Sequence, residues 1–169
     1  MYGQRKQTES GKKGHSKAGF SLIELLIVVA VILIIAAIAI PNFIKSKMLA
    51  HEAAAIQNSR NITTAEVVYS TTYGVGFSPS LVSLAGSSST IDQNNAQLID
   101  TVLGSGSKSG YTFSYSILTQ DAQGHVTGYA LNADPLTSTT GQRHFYTDQT
   151  SVIRVNLSTT AGPSDPAIQ

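Results

Sequence analysis

From Leu25 to Ile40 the chain runs through sixteen consecutive apolar residues, LLIVVAVILIIAAIAI. Burying each larger side chain of this kind is worth roughly 1.5 to 3 kcal/mol. The total exceeds the ~5 to 15 kcal/mol stability of a whole domain, so the segment must live in lipid or in the core of an assembly. From Phe20 to Phe43 it is long enough to cross ~30 Å of hydrocarbon. One residue disturbs this picture. Glu24 stands at the front of the run, and an acid within a membrane is costly and usually functional.

Charge sets the orientation. Residues 1–19 hold Arg5, Lys6, Lys12, Lys13 and Lys17 against Glu9, a net +4, so the rest of the chain carries −3 of the total +1. A basic segment ahead of an apolar run stays in the cytoplasm, so the remainder is expected across the membrane. Charged residues make up 12 % of the chain, about half the usual share. There is no cysteine, which excludes disulfides, thiol nucleophiles and Cys-based metal sites.

Three readings fit the run. It can be a secretory signal with Ala37-Ile38-Ala39 as the cleavage box, although it is long for an apolar signal region of ~7 to 15 residues. It can be a plain anchor, which leaves Glu24 merely tolerated near the helix end. Or Glu24 is used. If the leader is removed after Gly19, Phe20 becomes the amino terminus, and an α-amine with a pKa of about 7.7 to 8.0 is largely protonated at neutral pH. Phe20 and Glu24 then carry opposite charges on adjacent turns.

The stretch GFSLIELLIVVAVILIIAAIAIPNF, Gly19 to Phe43, resembles the N-terminus of type IV pilins and of the related type II secretion pseudopilins, with Gly19, Phe20, Glu24 and Pro41 in register. The resemblance extends from Lys17 to about Tyr73. Ala18 separates Lys17 from Gly19, where many members have the basic residue directly before the glycine. The resemblance implies cleavage after Gly19 by a prepilin peptidase, N-methylation of Phe20, and pairing of the Glu24 carboxylate with the Phe20 ammonium of a neighbouring subunit. It further implies an inner-membrane platform protein, an assembly ATPase acting from the cytoplasm, and no cofactor. The precursor would cross the inner membrane once, leader inside and head in the periplasm, before entering an extracellular homo-oligomeric filament.

The expected fold is α+β and pilin-like: a long N-terminal helix packed on a small antiparallel sheet. Its parts are a leader (1–19), an apolar helix (20–43), an amphipathic continuation (44–72), a turn-rich connection with short helices (73–110), the sheet (111–157) and a tail (158–169). In the continuation, Lys45, Lys47, Glu52, Arg60 and Glu66 alternate with Met48, Leu49, Ile56, Ile62 and Tyr69. Their spacing predicts one buried apolar face. Pro41 lacks an N–H for the carbonyl of Ala37 and costs about 3 kcal/mol relative to Ala; the resemblance implies a helix break there.

Beyond Tyr73, one short helix is expected after Pro79 and a second one capped by Asp92 and stopped at Gly104. Tyr111, Phe113, Tyr115 and Ile117 alternate with small or polar residues, the period of a half-buried strand. HVTGYALNADP gives another strand, with a turn at Asp121 to Gly124, and RHFYTDQTSVIRVNL gives two more around Asp148 to Ser151. Three or four antiparallel strands are expected, and the tail STTAGPSDPAIQ reads as loop.

No enzymatic motif emerges. His125, His144, Asp148 and the serines form no G-x-S-x-G elbow. GSGSKSG, Gly104 to Gly110, lacks phosphate-loop spacing and precedes a strand. Asp92, Asp100, Asp121, Asp134 and Asp148 show no calcium-loop spacing. The part after Gly19 has six Lys and Arg against nine acids, so no direct nucleic-acid contact is expected. Asn61-Ile62-Thr63 and Asn156-Leu157-Ser158 match the glycosylation pattern. The expected function is a structural pilus subunit, not an enzyme, serving adhesion, motility or uptake, with a secretion pseudopilin as the alternative.

Overall fold

The computed structural model of the chain describes residues 19–86, 88 and 90–168. Of the expected leader, 1–18 lie outside the described residues. The chain divides into two compact units, one ending at Ile40 and one beginning at Pro41.

Helix α1 is assigned over Leu22–Tyr73 with Pro41 inside it. In the first unit its side chains are exposed nearly throughout, from Leu22 at 83 % to Ile38 at 66 %. It is a helix long and apolar enough to cross a membrane. In the second unit α1 ends where Gly74 takes a φ of +67° and donates its N–H to the Ser70 carbonyl at 3.0 Å, a left-handed glycine stop.

The buried face of α1 in the second unit differs from the expected apolar stripe. Ile62 and Tyr69 are buried as expected, but so are Glu52 and Glu66, together with Ala55, Asn58, Ser59, Thr63 and Ala65. Leu49 is exposed. The three- and four-residue spacing is helical; what fills it is partly polar, because loops distant in sequence supply hydrogen bonds to both carboxylates.

Helix α2, Leu81–Ala85, follows Pro79 and starts where Ser80 Oγ accepts from Ser83 N. Helix α3 is shorter than expected, Thr101–Gly104, and its cap is Asp100, whose Oδ1 accepts from Leu103 N at 3.0 Å. Asp92, expected as that cap, instead closes a turn. Its Oδ1 accepts from Asn94 N at 2.8 Å, and its backbone exchanges hydrogen bonds with Asn95. Asp and Asn side chains compete for nearby amides in this way and favour turns over helix interiors.

A five-stranded sheet follows: β1 Ser107–Lys108, β2 Tyr111–Gln120, β3 Val126–Pro135, β4 His144–Asp148 and β5 Arg154–Asn156. The strands pair in chain order, all antiparallel. The last four match the expected strands. Two-residue β1 is too short to leave a period-two signal. Tyr111, Phe113, Tyr129, Leu131 and Phe145 project into one core with Ile62, Tyr69, Leu84 and Leu103. Ile117, expected on the half-buried face, is 41 % exposed, beyond the reach of that core. On the opposite face, Ala130 and Tyr146 form a second small cluster with Ala161. The tail is therefore more than loop: it bridges to β5 at Arg154 and Ala167.

Candidate functional site

At the start of α1, Gly19 and Phe20 precede the helix by three and two residues, and Phe20 is 84 % exposed. Ser21 stands just outside the first helical residue, and its carbonyl accepts from Leu25 N at 3.2 Å. Glu24 lies in the first turn. Its Oε2 accepts from Ser21 N at 3.5 Å, the outer limit of a hydrogen bond.

Ser21-Leu22-Ile23-Glu24 thus has the S-x-x-E spacing of a capping box, with the third-position acid reaching back to the capping amide. A carboxylate at this end also meets the positive pole of the helix. The spacing was readable in the sequence, but the apolar run around it drew attention to lipid and away from capping. Glu24 therefore has a local partner within its own chain, which the sequence reading did not foresee.

The second unit holds two acids that sequence reasoning placed on the polar side of the helix. Glu52 is 3 % exposed. Its Oε1 accepts from Gln142 N at 3.0 Å and Arg143 N at 3.3 Å, and its Oε2 accepts from Arg143 Nε at 2.6 Å. Burial pushes the Glu52 carboxyl up, but these hydrogen bonds and the guanidinium charge outweigh it and hold the pKa below the usual range.

Glu66 is fully buried. Both its oxygens accept from Ser78, Oε2 from the amide at 2.8 Å and Oε1 from the hydroxyl at 2.6 Å. Tyr115 donates its hydroxyl to the Ser78 carbonyl at 2.9 Å. With no guanidinium beside it, burial dominates and raises the Glu66 pKa, the Ser78 donors pulling the other way. The same burial, reinforced by the Glu66 charge, raises the Tyr115 and Tyr129 phenols.

The remaining polar candidates are dispersed. His125 pairs with Asp121 at 2.9 Å in the β2–β3 turn, and His144 with Asp134 at 2.6 Å across neighbouring strands. Asp148 caps its own turn through Thr150. Lys108 of the glycine-rich stretch pairs with Asp100 at 2.6 Å. Among the described residues no group of three His, Asp or Glu side chains converges as a metal site. Asn61 is exposed on α1, whereas Asn156 is engaged at both ends of its amide, donating to Asp165 and accepting from Ser158 and Thr159.

The first unit, whose bare helix carries Glu24 in its first turn, is also where a family model matches. The model of the prokaryotic N-terminal methylation motif matches residues 14–40. These residues carry that motif. Gly19, Phe20 and Glu24 all lie inside it, and Pro41 follows directly. The chain is also 54 % identical over 48 residues to a type IV major pilin protein, PilA, of Myxococcus xanthus. That match covers 28 % of this chain and 22 % of the relative, so the two are comparable over only about a fifth of the relative's length. No solved structure matches. Both similarities support the type IV pilin resemblance carried by the methylation-motif segment and its long apolar helix.

Proposed function

We propose that the chain is the precursor of a type IV pilus subunit. A prepilin peptidase cuts after Gly19 on the cytoplasmic side, Phe20 is N-methylated, and the exposed apolar helix passes from the inner membrane into a filament core. The observation that carries this reading is a lone carboxylate in the first turn of a helix whose apolar side chains are uncovered, in register with a methylation motif.

In the precursor, Glu24 caps its own helix. In the filament, it meets the Phe20 ammonium of a neighbouring subunit. A buried charge is tolerated when paired and strongly destabilising when alone, so the pair sets the position of one subunit on the next. An inner-membrane platform protein and an assembly ATPase supply the movement; the subunit catalyses nothing. The filament serves adhesion, motility or uptake. The alternative is a pseudopilin of a type II secretion system; long filaments that persist on cells without secretion genes decide for the pilus.

Mass spectrometry of the filament protein tests this directly: the expected N-terminus is Phe20 bearing one methyl group. An N-terminus just after Ala39, or an intact Met1 in working filaments, would overturn it. Gly19→Ser is expected to leave uncleaved precursor and few filaments.

A further inference from the structure

An edge strand offers unpaired backbone groups to any other chain, and β5 is the last strand of this sheet. Its outer side is not bare. Val155 N donates to the Pro166 carbonyl at 2.9 Å, and Ile168 N donates to the Ile153 carbonyl at 2.9 Å. Arg154 Nη1 reaches the Asp165 carbonyl at 2.9 Å. Further back, Asn132 Nδ2 donates to the Ala161 carbonyl at 2.7 Å, and Ala161 covers Ala130 and Tyr146 on the sheet face away from α1. Ile168 packs on the main core.

One side chain ties these contacts together. Asp165 accepts from Asn156 Nδ2 at 3.1 Å and from Gly162 N at 2.8 Å, joining the end of β5 to the returning segment. Pro163 and Pro166 lack N–H groups, so the segment pairs inward while offering few donors outward, a known way of blunting an edge.

We infer that residues 161–168 form a clasp, pinned by Asp165, that opens and closes as one unit and guards the β5 edge against pairing with other copies of the chain. With no cysteine in the protein, the clasp holds by hydrogen bonds and packing alone. It is drawn from the second unit only and does not depend on filament formation.

The test is native-state hydrogen exchange on the full chain in detergent micelles, comparing the parent with Asp165→Ala. Neither Val155 N nor Ile168 N bonds the Asp165 side chain. In a cooperative clasp both should nevertheless exchange about tenfold faster in the variant, while Tyr129 and Leu131 in β3 keep their protection. Unchanged exchange at Val155 and Ile168 overturns the clasp. Equal acceleration in β3 overturns it too, since the segment would then belong to the global fold. The guarding role is read separately, by cross-linking across a concentration series: Asp165→Ala should form cross-linked dimers at about tenfold lower concentration, and a variant as dispersed as the parent overturns that role.

Discussion

The two parts of α1 invert the usual arrangement in opposite ways. Up to Ile40 its leucines, isoleucines and valines face outward, with Leu33 at 64 % and Ile34 at 65 % exposure. Beyond Pro41, two glutamates are among its most buried residues. The second part is satisfied largely within its own chain: each buried acid has donors, and Ile62 and Tyr69 have a core to enter, while Phe43, Ile44 and Leu49 stay exposed. Among the described residues, the first is satisfied by nothing except the weak Ser21–Glu24 contact. A helix face left that apolar requires lipid or other subunits. One sequence element therefore contains a finished piece of a domain and a piece left to be covered by lipid or by other subunits.

The largest expected effect breaks the unfinished piece. If the proposed pairing holds, Glu24→Ala leaves a partner ammonium unpaired in the filament core, a cost of about 3 to 5 kcal/mol. Filament yield in sheared fractions should fall more than tenfold, while processed protein still accumulates in the membrane and the second unit unfolds at its usual temperature. Normal filament yield would remove the pairing argument.

Next comes Glu52→Ala, which leaves Arg143 and two backbone amides without their acceptor. Because Arg143 is partly exposed, water softens the loss to about 2 kcal/mol, measurable by denaturant unfolding of the second unit, with filament assembly following only as far as folding does. The folded pKa of Glu52 lies below its ordinary 4.5, so the folded state binds fewer protons than the unfolded one near that pH. Its stabilisation is present above pH 4.5 and lost as pH falls through the folded value.

Glu66 has the opposite sign. Its folded pKa lies above 4.5, so the folded state gains a proton first and Glu66 adds stability as pH falls through that raised value toward 4.5. Glu66→Gln keeps an acceptor for Ser78 and removes the buried charge. It should cost less than about 1 kcal/mol at neutral pH and flatten the stability–pH curve in that window. A curve unchanged from the parent would show that Glu66 is not the titrating group.

The smallest effect is expected at the exposed pair of Asp100 and Lys108. Lys108→Ala should change stability by less than about 0.5 kcal/mol, confirming that an acid matters here through burial and not through mere possession of a partner.

The apolar helix and the position of Glu24 in its first turn could be read directly because their information is local: an unbroken stretch of hydrocarbon and one acid at a fixed offset. The strands from Tyr111 to Asn156 were legible for the same reason, through alternation and turn residues. The cap of α3 was misplaced because Asp92 and Asp100 are equally good caps in isolation, and only the Asp92–Asn95 turn separates them. Glu52 and Glu66 looked like a solvated face because helical spacing reports which residues share a side, not what that side meets.

By itself the sequence determined that this chain has a segment unfit for water and which residue stands out within it. Tertiary structure alone decided that two acids go inside and that the tail closes the sheet. The physical reason is range. Hydrophobic periodicity is written in neighbours, whereas the donors that make burial of Glu52 affordable lie 90 and 91 residues away, where only the folded chain brings them together.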